Sequence, residues 1–293
     1  MVATLPRTIQ LKLEQTLGQW QHWQLSLTDR PAVVKLLGDG HSNYSVQVAS
    51  GDSEFVVRID GIVPSQHGLN RQIEWRGLTN AAKAGLAPTP RYFNPDLGTL
   101  VCDYLPADTW RQQSPAEIAV LVQAIHQLPA VHHRLDLRAR IQRYEKQAAQ
   151  CGHHSLSILL QSQSTIVAIL EHLETSHYVP AFCHNDLLSP NRLLSGGKLW
   201  ALDWEYCAMG NPWFELAVIS CGEGYSDEEC SLFAQTYLSR MPGEKELQDF
   251  TAYRCVYRYL ELLWYLGRTS DSQQVDIKEK LAALMQELST LER

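Results

Sequence analysis

The sequence predicts an α+β chain in two lobes: a small N-terminal antiparallel sheet lobe with one helix, and a larger, mostly helical C-terminal lobe. Two observations predict it. Residues 32–104 hold five short β-rich runs with one helical stretch after the third. Beyond Pro106 the apolar spacing becomes that of helices, with one strand-rich interruption at residues 179–203.

Each element has a local reason. Ala32 to Leu37 is β-rich and is broken by Gly38, Asp39 and Gly40. Tyr44 to Ala49 alternates, with Tyr44, Val46 and Val48 on one face. Ser50 to Ser53 reads as a turn, and Glu54 to Ile59 as a third strand. A helix over Leu69 to Lys83 is stopped by Gly85 and Pro88. Arg91 to Asn94 and Gly98 to Tyr104 read as strands around Asn94-Pro95-Asp96. Ser114-Pro115-Ala116-Glu117 is a capping box with proline at the first helical position. Ile118, Leu121, Val122, Ile125 and Leu128 then recur at helical spacing. Ser226 to Glu229 is a second capping box, and helical patterns run over Leu135–Gln150, Ser155–Glu174, Lys245–Gly267 and Val275–Glu292. Ser195-Gly196-Gly197-Lys198 is a hairpin turn inside the strand-rich stretch. The expected domains are residues 1–105 and 106–293.

Composition narrows the function classes. A chain of 293 residues suits two domains, and 45% hydrophobic with 19% charged residues is globular rather than disordered. Against 32 acidic residues stand 25 basic ones, so the net charge of −7 disfavours general nucleic-acid binding. Seven cysteines, an odd number with no C-x-x-C pair, argue against a disulfide framework and a zinc site. Scattered thiols, no signal-peptide pattern, and no apolar run near the ~18 residues of a spanning helix lead to the expectation of a cytoplasmic protein without a membrane partner.

The chemistry concentrates in residues 182–205. His184-Asn185-Asp186 is followed by Asn191 and, across the hairpin, Asp203. Phosphoryl transfer needs such a set: a carboxylate to orient the attacking hydroxyl and accept its proton, and hard oxygens to hold magnesium against a triphosphate. The nucleophile comes with the substrate, so no Ser-His or Cys-His pair is required.

H-N-D-x-x-x-x-N followed by D-W-E-Y resembles the catalytic and metal-binding loops of the aminoglycoside phosphotransferase and choline kinase superfamily, over about Val33 to Trp264. The resemblance implies a protein-kinase-like two-lobed fold and an ATP- and Mg2+-dependent kinase of a small hydroxylated molecule. It makes Asp186 the catalytic base and Asn191 and Asp203 the magnesium ligands, with His184 and Asn185 bracing the loop.

The N-terminal lobe offers the nucleotide side. Gly38-Asp39-Gly40-His41-Ser42-Asn43 is either an ordinary hairpin or a phosphate cradle. Gly40, Ser42 and Asn43 are the candidates, and Ser42 and Asn43 match the choline kinase branch. Arg58 stands where protein kinases carry lysine. An arginine there resembles choline and thiamine kinases, and its permanent charge and fork suit phosphate oxygens. Glu74 is the candidate partner. Backbone groups at Asp103 and Leu105 fit an adenine-binding hinge.

The acceptor is less determined. Tyr257, Glu261 and Trp264 share one helical face, which is either core or a cage for a cation. Tyr206 is a second wall candidate. Glu215 is a brace or a substrate contact, and His126 reads as packing or capping. The expected acceptor is a small cationic alcohol, of choline or ethanolamine type first and thiamine second. An aminoglycoside or macrolide phosphotransferase is the alternative within the same chemistry, and a non-catalytic nucleotide-binding regulator the alternative outside it.

Overall fold

A computed structural model describes residues 5–39, 43–268 and 276–291. Contacts divide the chain into two units, residues 1–111 with 191–207, and residues 112–190 with 208–293.

The first unit opens with α1 (Arg7–Gly18), then β1 (Ala32–Asp39), β2 (Asn43–Ser50), β3 (Ser53–Asp60), α2 (Arg71–Lys83), β4 (Pro90–Asn94) and β5 (Thr99–Asp103). The strands form one antiparallel sheet in the order β1-β2-β3-β5-β4. Alternation sets its faces: Val46, Val48, Phe55, Val57 and Ile59 point into a core shared with Ile9, Leu13 and Leu17 of α1. The sequence reading holds no helix at α1, although Ile9, Leu13 and Leu17 keep a four-residue spacing. Asn70 caps α2, accepting from the N–H groups of Gln72 and Ile73. Gly98 holds φ +64, and a Cβ there would meet Asp60 Oδ2 at 2.8 Å, so this turn admits glycine. Gly40, His41 and Ser42, between β1 and β2 in the chain, lie outside the described residues.

The second unit begins with α3 (Pro115–His126), α4 (Leu137–Cys151), the short α5 (Leu156–Leu159) and α6 (Gln163–Thr175), followed by β6 (Ala181–Cys183). Both capping boxes form as read, Ser114 with Glu117 and Ser226 with Glu229. The single helix expected over Ser155–Glu174 is instead α5, a 3-10 turn at Leu160–Ser162, and α6. Residues 156–175 are the one stretch among the described residues long and apolar enough to cross a membrane. Ile166, Leu170 and Leu173 are buried within α6, which packs on a later helix of this unit, as a core helix does.

The chain then returns to the first unit for the hairpin β7 (Arg192–Ser195) and β8 (Lys198–Ala201), which turns at Ser195–Lys198 as expected. The expected boundary at residue 106 assigns this hairpin to the C-terminal domain; contacts group it instead with residues 1–111, where its hydrogen-bond partners Leu86 and Asp108 lie. Ala201 N–H donates to Leu86 O at 2.8 Å, and Gly196 and Gly197 N–H groups donate to the Asp108 carboxylate. In the second unit β9 (Ala208–Gly210) pairs with β6, and α7 (Pro212–Glu223), α8 (Asp227–Leu238), α9 (Glu244–Leu266) and α10 (Ile277–Leu291) complete it. All seven cysteines are free thiols.

Candidate active site

The sheet unit gathers Asn43, Arg58, Glu74 and Asp203. Arg58 on β3 reaches both Glu74 on α2 and the carboxylate of Asp203, the latter at 2.8 Å. Burial lowers the Arg58 pKa, but the charges of Glu74 and Asp203 outweigh it and the guanidinium stays charged. Burial likewise raises the Glu74 carboxyl, and the charge and hydrogen bond of Arg58 bring it below its usual range. Asn43 Nδ2 donates to Glu205 Oε2 at 2.9 Å and lies 3.5 Å from Asp203 Oδ2.

Two members of this cluster escaped the sequence reading. Arg71, at the first position of α2, is buried among three carboxylates. Its Nε and Nη2 grip Asp60 at 3.1 and 2.7 Å, and Nη1 reaches Glu74 at 2.7 Å and Glu205 at 3.1 Å. Glu205 is the second member. Arg71 precedes Glu74 by three residues on one helical face, the only local sign of the pair.

Asp203 sits at φ 57, in the left-handed region that a short polar side chain tolerates. Burial first, then the neighbouring charge of Glu205, pushes its carboxyl up to about 7. Leu202 N–H donates to Asn191 O at 2.9 Å, tying the two candidate metal residues across the hairpin base. An amide oxygen and a carboxylate are hard donors, which fits magnesium and not a soft metal. The Asp103 carboxylate is taken by Arg91 at 2.7 and 2.8 Å, and its N–H by Thr89 O at 2.9 Å. Its carbonyl and the backbone of Leu105 are what it could offer adenine. Tyr206 is half-buried in this same unit.

The helical unit holds Asp186. Residues 184–186 lie just past β6, and α7 braces them. The Glu215 carboxylate accepts from the N–H of His184 at 2.9 Å and from that of Asn185 at 2.9 Å. Its other oxygen is 2.6 Å from His126 Nε2, and His126 Nδ1 is 2.9 Å from the Tyr237 hydroxyl. Glu215 is fully buried. Burial raises its carboxyl, but the hydrogen bond and charge of His126, then His184 and the Asn185 N–H, bring it below the usual range. Glu215 is therefore a brace, and His126 extends it to α8. Asn185 takes φ 63, a left-handed conformation that asparagine tolerates, and these bonds fix the bend before Asp186.

Loss of that brace has a measurable consequence. Glu215→Ala leaves two buried N–H groups without their acceptor, and the loop carrying Asp186 relaxes. The turnover number for ADP release should fall about 10²-fold, as a 1 Å misplacement costs, with KM for ATP within about twofold. Unchanged turnover in a variant with these bonds removed would dismiss the brace.

Three of the four acceptor candidates, Tyr257, Glu261 and Trp264, lie in this unit, whereas Tyr206 lies in the sheet unit. Burial raises the Tyr257 phenol, followed by the charges of Glu261 and Asp186, so the tyrosine stands protonated beside two carboxylates. Glu261 and Trp264 follow on α9.

Comparisons with known proteins show the family and the fold. A family profile described as Phosphotransferase enzyme family matches residues 33–254. Protein LicA of Haemophilus influenzae is 23% identical over 239 residues, covering 78% of this chain and 70% of that protein. The choline kinase LicA of Streptococcus pneumoniae superposes with a TM-score of 0.73 at 18% identity, covering 96% of this chain and 99% of that one. A structure of LicA in complex with AMP gives a TM-score of 0.74 at 17% identity, covering 98% of this chain and 100% of that one. The protein-kinase-like two-lobed fold expected from the sequence is the fold of these structures.

Proposed function

The chain belongs to the phosphotransferase enzyme family and is a small-molecule kinase, and from that premise we propose that it transfers the γ-phosphoryl group of ATP to the hydroxyl of a small cationic alcohol. Choline or ethanolamine comes first and thiamine second. The observation that carries the reading is Arg58 bridging Glu74 and Asp203, a fixed cation beside a carboxylate that suits a triphosphate and its counterion.

In this reading Asp186 accepts a hydrogen bond from the acceptor hydroxyl and takes its proton as the oxygen attacks the γ-phosphorus. The bond from phosphorus to the bridging oxygen breaks, and ADP leaves. Arg58, oriented by Glu74, offsets negative charge on the phosphate oxygens. Asn191 and Asp203 would hold magnesium, which supplies neutralisation of the phosphate charge. Gly40, Ser42 and Asn43 are the residues assigned to phosphate binding on the family resemblance, and Asp103 and Leu105 offer backbone groups to adenine. Tyr206, Tyr257, Glu261 and Trp264 face the acceptor.

A screen of ADP release with choline, ethanolamine, thiamine, homoserine, sugars and aminoglycosides tests this. Choline or ethanolamine should give the highest kcat/KM, and Trp264→Ala should raise KM for that acceptor far more than KM for ATP. A sugar or aminoglycoside preferred by more than tenfold overturns the acceptor reading. The same slow ADP release with every alcohol favours a regulator.

A further inference from the structure

The features that suit α9 to a cation are already met by cations of the chain. The Arg268 guanidinium lies over the Trp264 ring, 3.9 Å from its centroid. Lys280 Nζ, from the first turn of α10, is 2.6 Å from Glu261 Oε1 and 5.4 Å from the centroid of the Tyr265 ring. A carboxylate and an aromatic face, the two elements that recognise an ammonium group, thus each hold an internal partner. Resting on the acceptor reading above, we propose that Lys280 and Arg268 are tethered stand-ins for the acceptor cation, which displaces them when it binds and whose affinity they set.

The pairing is built to open. Glu287 fastens α10 to α9 independently, accepting from Arg258 Nε at 2.7 Å and lying 2.9 Å from Arg254 Nε. That carboxylate is buried, whereas the Lys280 side chain is 30% exposed and reaches water as it swings away. Lys280 therefore leaves Glu261 by side-chain rotation, without undocking the helix. The Arg268 contact is similarly local, four residues beyond Trp264 and past the end of α9. A tethered cation competes at a millimolar effective concentration. An acceptor of comparable intrinsic affinity sees its apparent affinity reduced by the fraction of sites so held. The device discriminates: an alcohol with no positive charge displaces neither cation and gains nothing from their departure.

Lys280→Met and Arg268→Met keep the apolar stems and remove the charges. The experiment measures KM for choline and for ATP by ADP release in the wild type and both variants, with melting temperature as the check on folding. Lys280→Met should lower KM for choline about fivefold, Arg268→Met by a smaller factor, and KM for ATP should stay within about twofold. Choline turned over by wild type and both variants with the same KM, or with a higher KM in the variants, overturns the proposal alone and leaves the acceptor reading standing. Turnover of no cationic alcohol by any of the three proteins, with another alcohol phosphorylated, overturns both. Should one variant fail to fold, the KM of the other still decides, because each cation covers a different element.

Discussion

Asp186→Asn is expected to lower the turnover number about 10³-fold while KM for ATP and the melting temperature hardly change. Asparagine keeps the size of the side chain and one acceptor oxygen but cannot take a proton at neutral pH. The substitution therefore separates two roles that a carboxylate can fill. In a loose phosphoryl-transfer transition state the attacking hydroxyl loses its proton late, and much of the catalysis is orientation. If orientation is all that Asp186 contributes, the amide oxygen supplies much of it and the loss stays below tenfold. If proton acceptance matters, the loss falls within the 10²–10⁴ range typical of a removed general base. Tyr257 stays protonated beside Asp186 and Glu261, because its phenolate would add a third negative charge in a buried setting. Asp186 is only half-buried, and the bend before it is held through Glu215, so exchanging its carboxylate for an amide leaves the loop's anchors in place. ADP release with the best acceptor, alongside a melting curve, checks this. A residual rate within tenfold of wild type would remove Asp186 from the role of base.

What a sequence discloses here follows the range over which each interaction acts. The hairpin between β7 and β8 is set by Gly196 and Gly197, with positive φ at both, so its position is written into neighbouring residues. The five-stranded sheet is similarly legible, because period-two alternation and turn residues are local. Asp186, Asn191 and Asp203 fall within eighteen positions, a window narrow enough for their chemistry to stand out. The break between α5 and α6 is not legible, since the apolar spacing continues across it and only packing decides where the helix is interrupted. The same holds for the aromatic face of α9. Trp264 and Glu261 read as either core or a cage for a cation, and nothing local shows that Glu261 is met by Lys280 from another helix. Glu205 shows the limit most plainly. Its place in D-W-E-Y suggests nothing beyond the motif, and its role comes from Arg71, 134 residues earlier.

Arg71→Met should destabilise the sheet unit more than any other single change considered, by about 3–5 kcal/mol, the cost of removing one partner from a buried ion pair. Asp60, Glu74 and Glu205 each have side chains less than 5% exposed, and all three meet this one guanidinium. Without it, Arg58 is the remaining cation among the described contacts of Glu74, and Asp60 loses a two-pronged grip. The Asp60 carboxyl is already raised, by burial before any charge, which marks how poorly this setting solvates it. Thermal unfolding should drop by about 10 °C or more. Arg71→Lys should recover only part of this, because an ammonium cannot serve Asp60, Glu74 and Glu205 with one planar fork. A second substitution distinguishes charge from packing. If the damage is stranded negative charge, Asp60→Asn added to Arg71→Met restores stability, a coupling that two independent sites would lack. If it is lost packing of the arginine stem, the double variant is less stable than Arg71→Met alone. A shift of under 2 °C in Arg71→Met would mean that the three carboxylates find other partners or protons, and that the cluster around Arg58 and Asp203 does not depend on Arg71.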